Sequence, residues 1–119
     1  GGGGGTQVYT NSTPTTIPDR ATITSSITVT GRTGNANAAS KATVNITHPY
    51  RGELQLTLVA PDGSRYLLKA VQKRDLAADI HATYTVNLGS EALNGTWKLE
   101  VADTVRRNTG TLTSWSLQF

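Results

Sequence analysis

Hydrophobic residues in this chain recur mostly at every second position, in short runs separated by turn-forming residues. Ile23, Ser25, Ile27 and Val29 share one parity, and Ala42, Val44 and Ile46 mark a second run. Leu54, Leu56 and Leu58 mark a third, followed by Ala60-Pro61-Asp62-Gly63 and a return through Tyr66 and Leu68. Strand side chains alternate between faces with a period of two, so each run predicts a strand with one buried face. Proline presets the second turn position and glycine accepts a positive dihedral, which predicts a hairpin at Pro61–Gly63. Ile80, Ala82, Tyr84, Val86 and Leu88 form the longest uninterrupted alternation.

Near the C-terminal end, Trp97, Leu99 and Val101 share one face, and Trp115, Leu117 and Phe119 share another. Leu112 has the opposite parity to Trp115, so the register must slip by one residue near Thr113 and Ser114, as a β-bulge allows. The two tryptophan-bearing segments are expected to form a hairpin at the edge of a sandwich. The stretch Lys69–Asp79 has no clean period and reads as a long connection with room for one helical turn. Ser90–Gly95 combines a helix N-cap residue with an Asn-Gly stop, which predicts a short helical turn. Together these elements give an all-β fold, an antiparallel β-sandwich of jelly-roll type with about eight strands.

The N-terminal region differs in composition. Gly1–Gly5 is low in complexity, and Gln7–Thr16 is rich in Thr and Ser with little to bury. Residues 1–16 therefore read as a flexible linker or tag remnant, with the folded domain spanning 17–119 and beginning at Ile17-Pro18-Asp19. At 119 residues the chain is of single-domain size. It contains no cysteine, so neither disulfides nor thiolate metal sites contribute. No stretch reaches the roughly 18 apolar residues of a membrane span. The net charge of +3 comes from scattered basic residues, with only Lys73-Arg74 and Arg106-Arg107 adjacent. A nucleic-acid surface would concentrate such charges and interleave them with aromatics, so no nucleic-acid partner is expected.

Five segments carry a family resemblance: Ile46–Leu54, Leu58–Ser64, Tyr84–Leu88, Asn94–Leu99 and Gly110–Phe119. In order and spacing they resemble the P domain, a β-sandwich found C-terminal to the protease domain of proprotein convertases and of many secreted bacterial proteases. The resemblance implies a secreted, non-catalytic accessory domain, with a catalytic domain upstream of it in the same chain. It implies a monomer that stabilises its protease and helps to recognise protein substrates or inhibitors. Subtilisin-like serine proteases, zinc metalloproteases and trypsin-like proteases are the implied hosts. The alternative is an extracellular module that binds a polymer or protein substrate directly.

Candidate chemistry is sparse. His48 and His81 are the only imidazoles, and neither has a nucleophile signature nearby, so no catalytic residue is assigned. Their separation and the lack of a His-Glu-x-x-His spacing also argue against zinc. Tyr50, Arg51, Tyr66, Lys73, Arg74, Arg106 and Arg107 are the expected contact residues, because exposed aromatics and arginines are enriched in interfaces. No cofactor is required on this reading, and calcium stays open, with Asp19 and Asp103 as candidate ligands at one end of the sandwich. Asn108, where many relatives carry Asp, and the neighbouring arginines weaken such a site. The competing role for Asp19 and Asp103 is capping of turns.

Overall fold

The computed structural model describes residues 7–72, 74–104 and 109–119. Its described residues form nine strands, β1 (Val8–Asn11), β2 (Thr15–Ile17), β3 (Thr22–Val29), β4 (Ser40–Thr47), β5 (Leu54–Val59), β6 (Arg65–Lys69), β7 (Ile80–Val86), β8 (Gly95–Asp103) and β9 (Gly110–Gln118). One sheet runs β1-β9-β4-β7, with β2 also pairing β9, and the other runs β3-β8-β5-β6. Every pairing is antiparallel. The predicted all-β sandwich is therefore the fold of this chain.

The alternation read from the sequence sets the core. Leu54, Leu56, Leu58, Trp97, Leu99 and Val101 from one sheet meet Val44, Ile46, Leu112 and Trp115 from the other, and all are at most 1% exposed. The predicted register slip is also present. Asn45 pairs Ser114 while Ile46 pairs Leu112, leaving Thr113 as the extra residue. The Thr113 hydroxyl donates to the Asn45 carbonyl at 2.9 Å. That bond fills the bulge and lets Leu112 and Trp115 face the same interior. At the Pro61 turn, Gly63 has φ +90°, and its amide donates to the Ala60 carbonyl at 2.9 Å.

Three expectations are corrected. The tryptophan strands do not form a hairpin: β8 lies in one sheet and β9 in the other. Both edges of β8 are taken by β3 and β5, and the two indoles fill one interior from opposite walls, which a hairpin within a single sheet would prevent. Ser90–Asn94 is not helical. There the chain pairs with the 31–39 loop, through Ala36 N–H to Glu91 O, Leu93 N–H to Gly34 O, and an isolated bridge between Asn35 and Ala92. Those non-local bonds satisfy the backbone that a helical turn would have satisfied locally. The Lys69–Asp79 connection likewise holds no helix among its described residues.

The third correction concerns the N-terminal segment. Val8–Asn11 and Thr15–Ile17 pair with β9, so ordered strand begins well before the expected boundary at Ile17. Apart from Ile17, which is buried in the core, and Tyr9, which packs on it, these residues are small and polar and cover one open side of the sandwich, which is why their composition resembles a linker. Asn11 Nδ2 reaches across to Ser25 Oγ at 3.1 Å and to the Ser26 carbonyl at 2.8 Å, joining β1 to β3 in the opposite sheet. Arg32 adds a second tie, donating to the Tyr9 hydroxyl at 3.0 Å and to the Phe119 carbonyl at 3.1 Å.

Candidate functional site

The most organised polar cluster lies where β4 ends and β5 begins. His48 follows the last residue of β4, Asp103 is the last residue of β8, and the two are buried to 1% and 3% exposure. His48 Nε2 lies 3.0 Å from Asp103 Oδ2, and His48 Nδ1 lies 3.0 Å from the Tyr50 amide nitrogen. A backbone N–H can only donate, so Nδ1 is the acceptor and Nε2 carries the proton that Asp103 accepts. The His48 amide donates to Asp79 Oδ1 at 2.9 Å, and the Asp79 amide donates to the His48 carbonyl at 2.8 Å. The Asp103 amide donates to the Ala21 carbonyl at 3.0 Å. The His48 imidazole thus links the approach to β5 to the end of β8, and the backbones of His48 and Asp103 add ties to the starts of β7 and β3.

Two close approaches explain the local sequence. A Cβ on Gly52 would sit 2.1 Å from the Gln72 carbonyl oxygen and 2.4 Å from that of Asp75. Only glycine lets the Arg51–Glu53 3-10 turn receive the 70–79 connection, whose Gln72 amide donates to the Gly52 carbonyl at 2.8 Å. A Cβ on Gly110 would sit 2.8 Å from His48 Cδ2. The imidazole therefore lies against bare backbone at the start of β9.

This geometry bears on chemistry in two ways. Both His48 nitrogens are engaged within a buried cluster, so this imidazole has no free nitrogen with which to act as a general base. His81 is exposed on β7, with Nδ1 3.0 Å from Asn45 Oδ1. For metals, one ligand atom each from His48, Glu53 and Asp103 falls within 4.8 Å of the others. Calcium favours roughly six to eight oxygen ligands. Here an imidazole occupies part of the set and its proton already bonds Asp103, so these three side chains alone do not supply a calcium shell. Asp19 is exposed and stands outside the cluster.

The expected contact residues separate. Tyr50 is 41% exposed, and the Arg51 guanidinium pairs with Asp75 at 2.8 Å. Arg74 is exposed in the adjoining connection, so these three share one end of the sandwich. Tyr66 lies at the opposite end, where its hydroxyl donates to the buried Glu91 carboxylate. That bond, followed by burial, raises the Tyr66 pKa above its ordinary value. Lys73, Arg106 and Arg107 lie outside the described residues. Sequence reasoning missed the pairing of His48 with Asp103 and the burial of Glu91. The family-like segment Ile46–Leu54 contained His48 without pointing to its partner, and no local signal marked the second.

The family described as Proprotein convertase P-domain matches residues 38–119. The Transglutaminase-activating metalloprotease of Streptomyces mobaraensis is 49% identical over 117 residues, covering 98% of this chain and 15% of that protein. Leupeptin-inactivating enzyme 1 of Streptomyces exfoliatus is 44% identical over 115 residues, covering 95% of this chain and 26% of that protein. The chain thus spans about a quarter or less of these curated relatives. The crystal structure of a serine protease of Aeromonas sobria superposes with a TM-score of 0.62 at 18% identity, covering 94% of this chain and 27% of that one, and shares the fold. The chain belongs to the proprotein convertase P-domain family.

Proposed function

We propose that this domain is the non-catalytic accessory unit of a secreted endopeptidase, packed beside an upstream catalytic domain that it stabilises and whose substrate recognition it assists. One observation carries this reading: nearly the whole chain aligns with two enzymes of which it makes up only 15% and 26%. The buried, doubly bonded His48 supports it, because that imidazole is spent on holding loops together. The reading puts the interdomain contact at the Tyr50, Arg51 and Arg74 end, where an exposed aromatic stands beside arginines. The domain is proposed to act outside the cell as a monomer within its own chain.

A polymer-binding platform is disfavoured by the burial of both tryptophans, at 0% and 1% exposure. No cation is required on this reading. The test is a chimera in which these 119 residues replace the aligned segment of the Streptomyces mobaraensis metalloprotease. The isolated chain is expected to show no peptidase activity, and the chimera to resist thermal inactivation longer than the protease lacking the segment. A chimera that inactivates as fast as the truncated protease would overturn the proposal.

A further inference from the structure

The two long sides of the sandwich are not alike. On one, β1 and β2 reach over β3, and Asn11 and Trp115 both bond Ser25. On the other, β6 and β7 end their sheets with no strand beyond them, and no β6–β7 pairing joins the sheets among the described residues. Apart from the buried Ile80, the inward side chains of these two strands are consequently only half-buried: Tyr66, Leu68, Ala82, Tyr84 and Val86 pack on the core with one flank open. Two cavities, of about 380 and 600 Å³, lie along this seam and share Leu68 and Tyr84 in their walls, so together they form one groove.

The edges differ in how they resist pairing. β6 carries Arg65 and Lys69 and has a register irregularity against β5, both of which discourage an added strand. β7 runs seven residues, Ile80–Val86, in unbroken register with β4 and contains neither proline nor glycine nor a permanently charged residue. It is the unguarded edge. Charge then selects the occupant. The Arg51 guanidinium is met by Asp75 and that of Arg65 by Glu100. Lys69 Nζ donates to the carbonyls of Leu54 at 3.0 Å and Ala70 at 3.2 Å, and among the described residues no carboxylate lies within ion-pair distance of it, although Asp75 on the same cavity wall, itself bonded to Arg51, acts on it electrostatically. Burial pushes this ammonium below its ordinary pKa, a cost that an arriving anion would relieve.

We propose that the seam between β6 and β7 is a docking groove for an extended acidic peptide, which adds as a strand to the edge of β7, seats alternate apolar side chains over Leu68 and Tyr84, and sets a carboxylate against Lys69. Main-chain bonds to an exposed edge supply affinity in this mode of recognition, and pockets for alternate side chains supply specificity. The inference goes beyond the accessory role, since it holds whatever the host enzyme.

The probe is a fluorescein-labelled, end-capped peptide of the length of β7, valine alternating with threonine and one glutamate near an end, titrated with the full 119-residue chain by anisotropy. Saturable binding is expected, weakened on the order of tenfold by Lys69→Glu, the loss expected when a partly desolvated charge pair is reversed. A lysine-for-glutamate peptide should recover binding to Lys69→Glu, which separates lost charge pairing from lost folding. Backbone N-methylation at alternate peptide positions should abolish binding. Absence of saturation up to about 1 mM, at the weak end of the affinity scale, would overturn the proposal. So would binding indifferent to both Lys69→Glu and N-methylation. Sedimentation showing a dimer that excludes the peptide would give the seam to a second copy and overturn it equally.

Discussion

Deleting the imidazole of His48 tests how the loop end of this sandwich is held. In the intact domain the side chains of His48 and Asp103 are both 0% exposed and lie 3.0 Å apart. His48→Ala removes that bond and the one from the Tyr50 amide, taking one bond from the buried Asp103 carboxylate and one from a part-buried backbone N–H. A hydrogen bond to a charged group contributes roughly 1.5–3 kcal/mol, and a buried polar group left unmet costs about 1–3 kcal/mol. With a neutral imidazole donating to a carboxylate, His48→Ala is expected to cost about 1.5–3 kcal/mol. Against a typical total of about 5–15 kcal/mol, this is a large share. Asp103→Asn keeps an acceptor oxygen for Nε2–H, so its cost should be nearer 1 kcal/mol, about one ordinary hydrogen bond. The assay is urea unfolding followed by tryptophan emission, since Trp97 and Trp115 pass from a buried to an exposed environment. The double variant His48→Ala/Asp103→Ala should lose less than the sum of its singles by about 0.5–3 kcal/mol, because the two residues share one interaction. Strict additivity, or a loss below about 1 kcal/mol for His48→Ala, would refute the reasoning.

Trp97→Ala and Trp115→Ala should each cost about 3–5 kcal/mol in the same unfolding assay, and near-native stability in both would contradict the core assignment. Gly52→Ala should destabilise by at least about 1–3 kcal/mol, because its Cβ would strike the carbonyls of Gln72 and Asp75, and an unchanged midpoint would show that the 70–79 connection packs elsewhere. Arg65 donates to Glu100 at 2.9 and 2.5 Å, and this bond holds the Glu100 carboxyl below its ordinary value of 4.5. A depressed folded pKa contributes stability that is present above the unfolded value and is lost as pH falls through the folded one. The gap between the parent and Arg65→Gln in thermal melting should therefore narrow on acidification below 4.5, and a gap constant with pH would count against the pair. Excess calcium or a chelator should leave the melting midpoint unchanged, whereas a calcium-dependent rise would restore the cation to the account.

Period-two alternation made most of this fold legible. It located β3 to β9, and the parity clash between Leu112 and Trp115 placed the bulge near Thr113 and Ser114, of which Thr113 carries it. It could not reveal which strands are neighbours. The tryptophan strands look like a hairpin because hairpins are the default for consecutive strands, yet both edges of β8 were already committed. Gln7–Thr16 escaped notice because a strand that covers an edge, bonded mainly through its backbone, needs no hydrophobic alternation to announce it. The helical turn expected at Ser90–Gly95 failed for a related reason. Its local cap signals were outweighed by bonds to residues 34–37, more than fifty positions earlier in the chain.

The candidate contact residues were legible by type but not by place. Tyr50, Arg51 and Tyr66 all read as exposed interface formers, whereas the fold puts Tyr66 at the opposite end from the other two and ties it to Glu91. The fold nevertheless gives Arg51 and Tyr66 something in common, since each borders one of the cavities along the β6–β7 seam. The seam thus runs from the loop end held by His48 to the turn end held by Glu91. A buried hydrogen bond at the first end and a part-buried one at the second tie the chain beside the groove, and a groove already held in shape needs little ordering before it receives a ligand. A ligand seated there would touch both ends at once, which is how one edge of a small β-sandwich can read an extended chain.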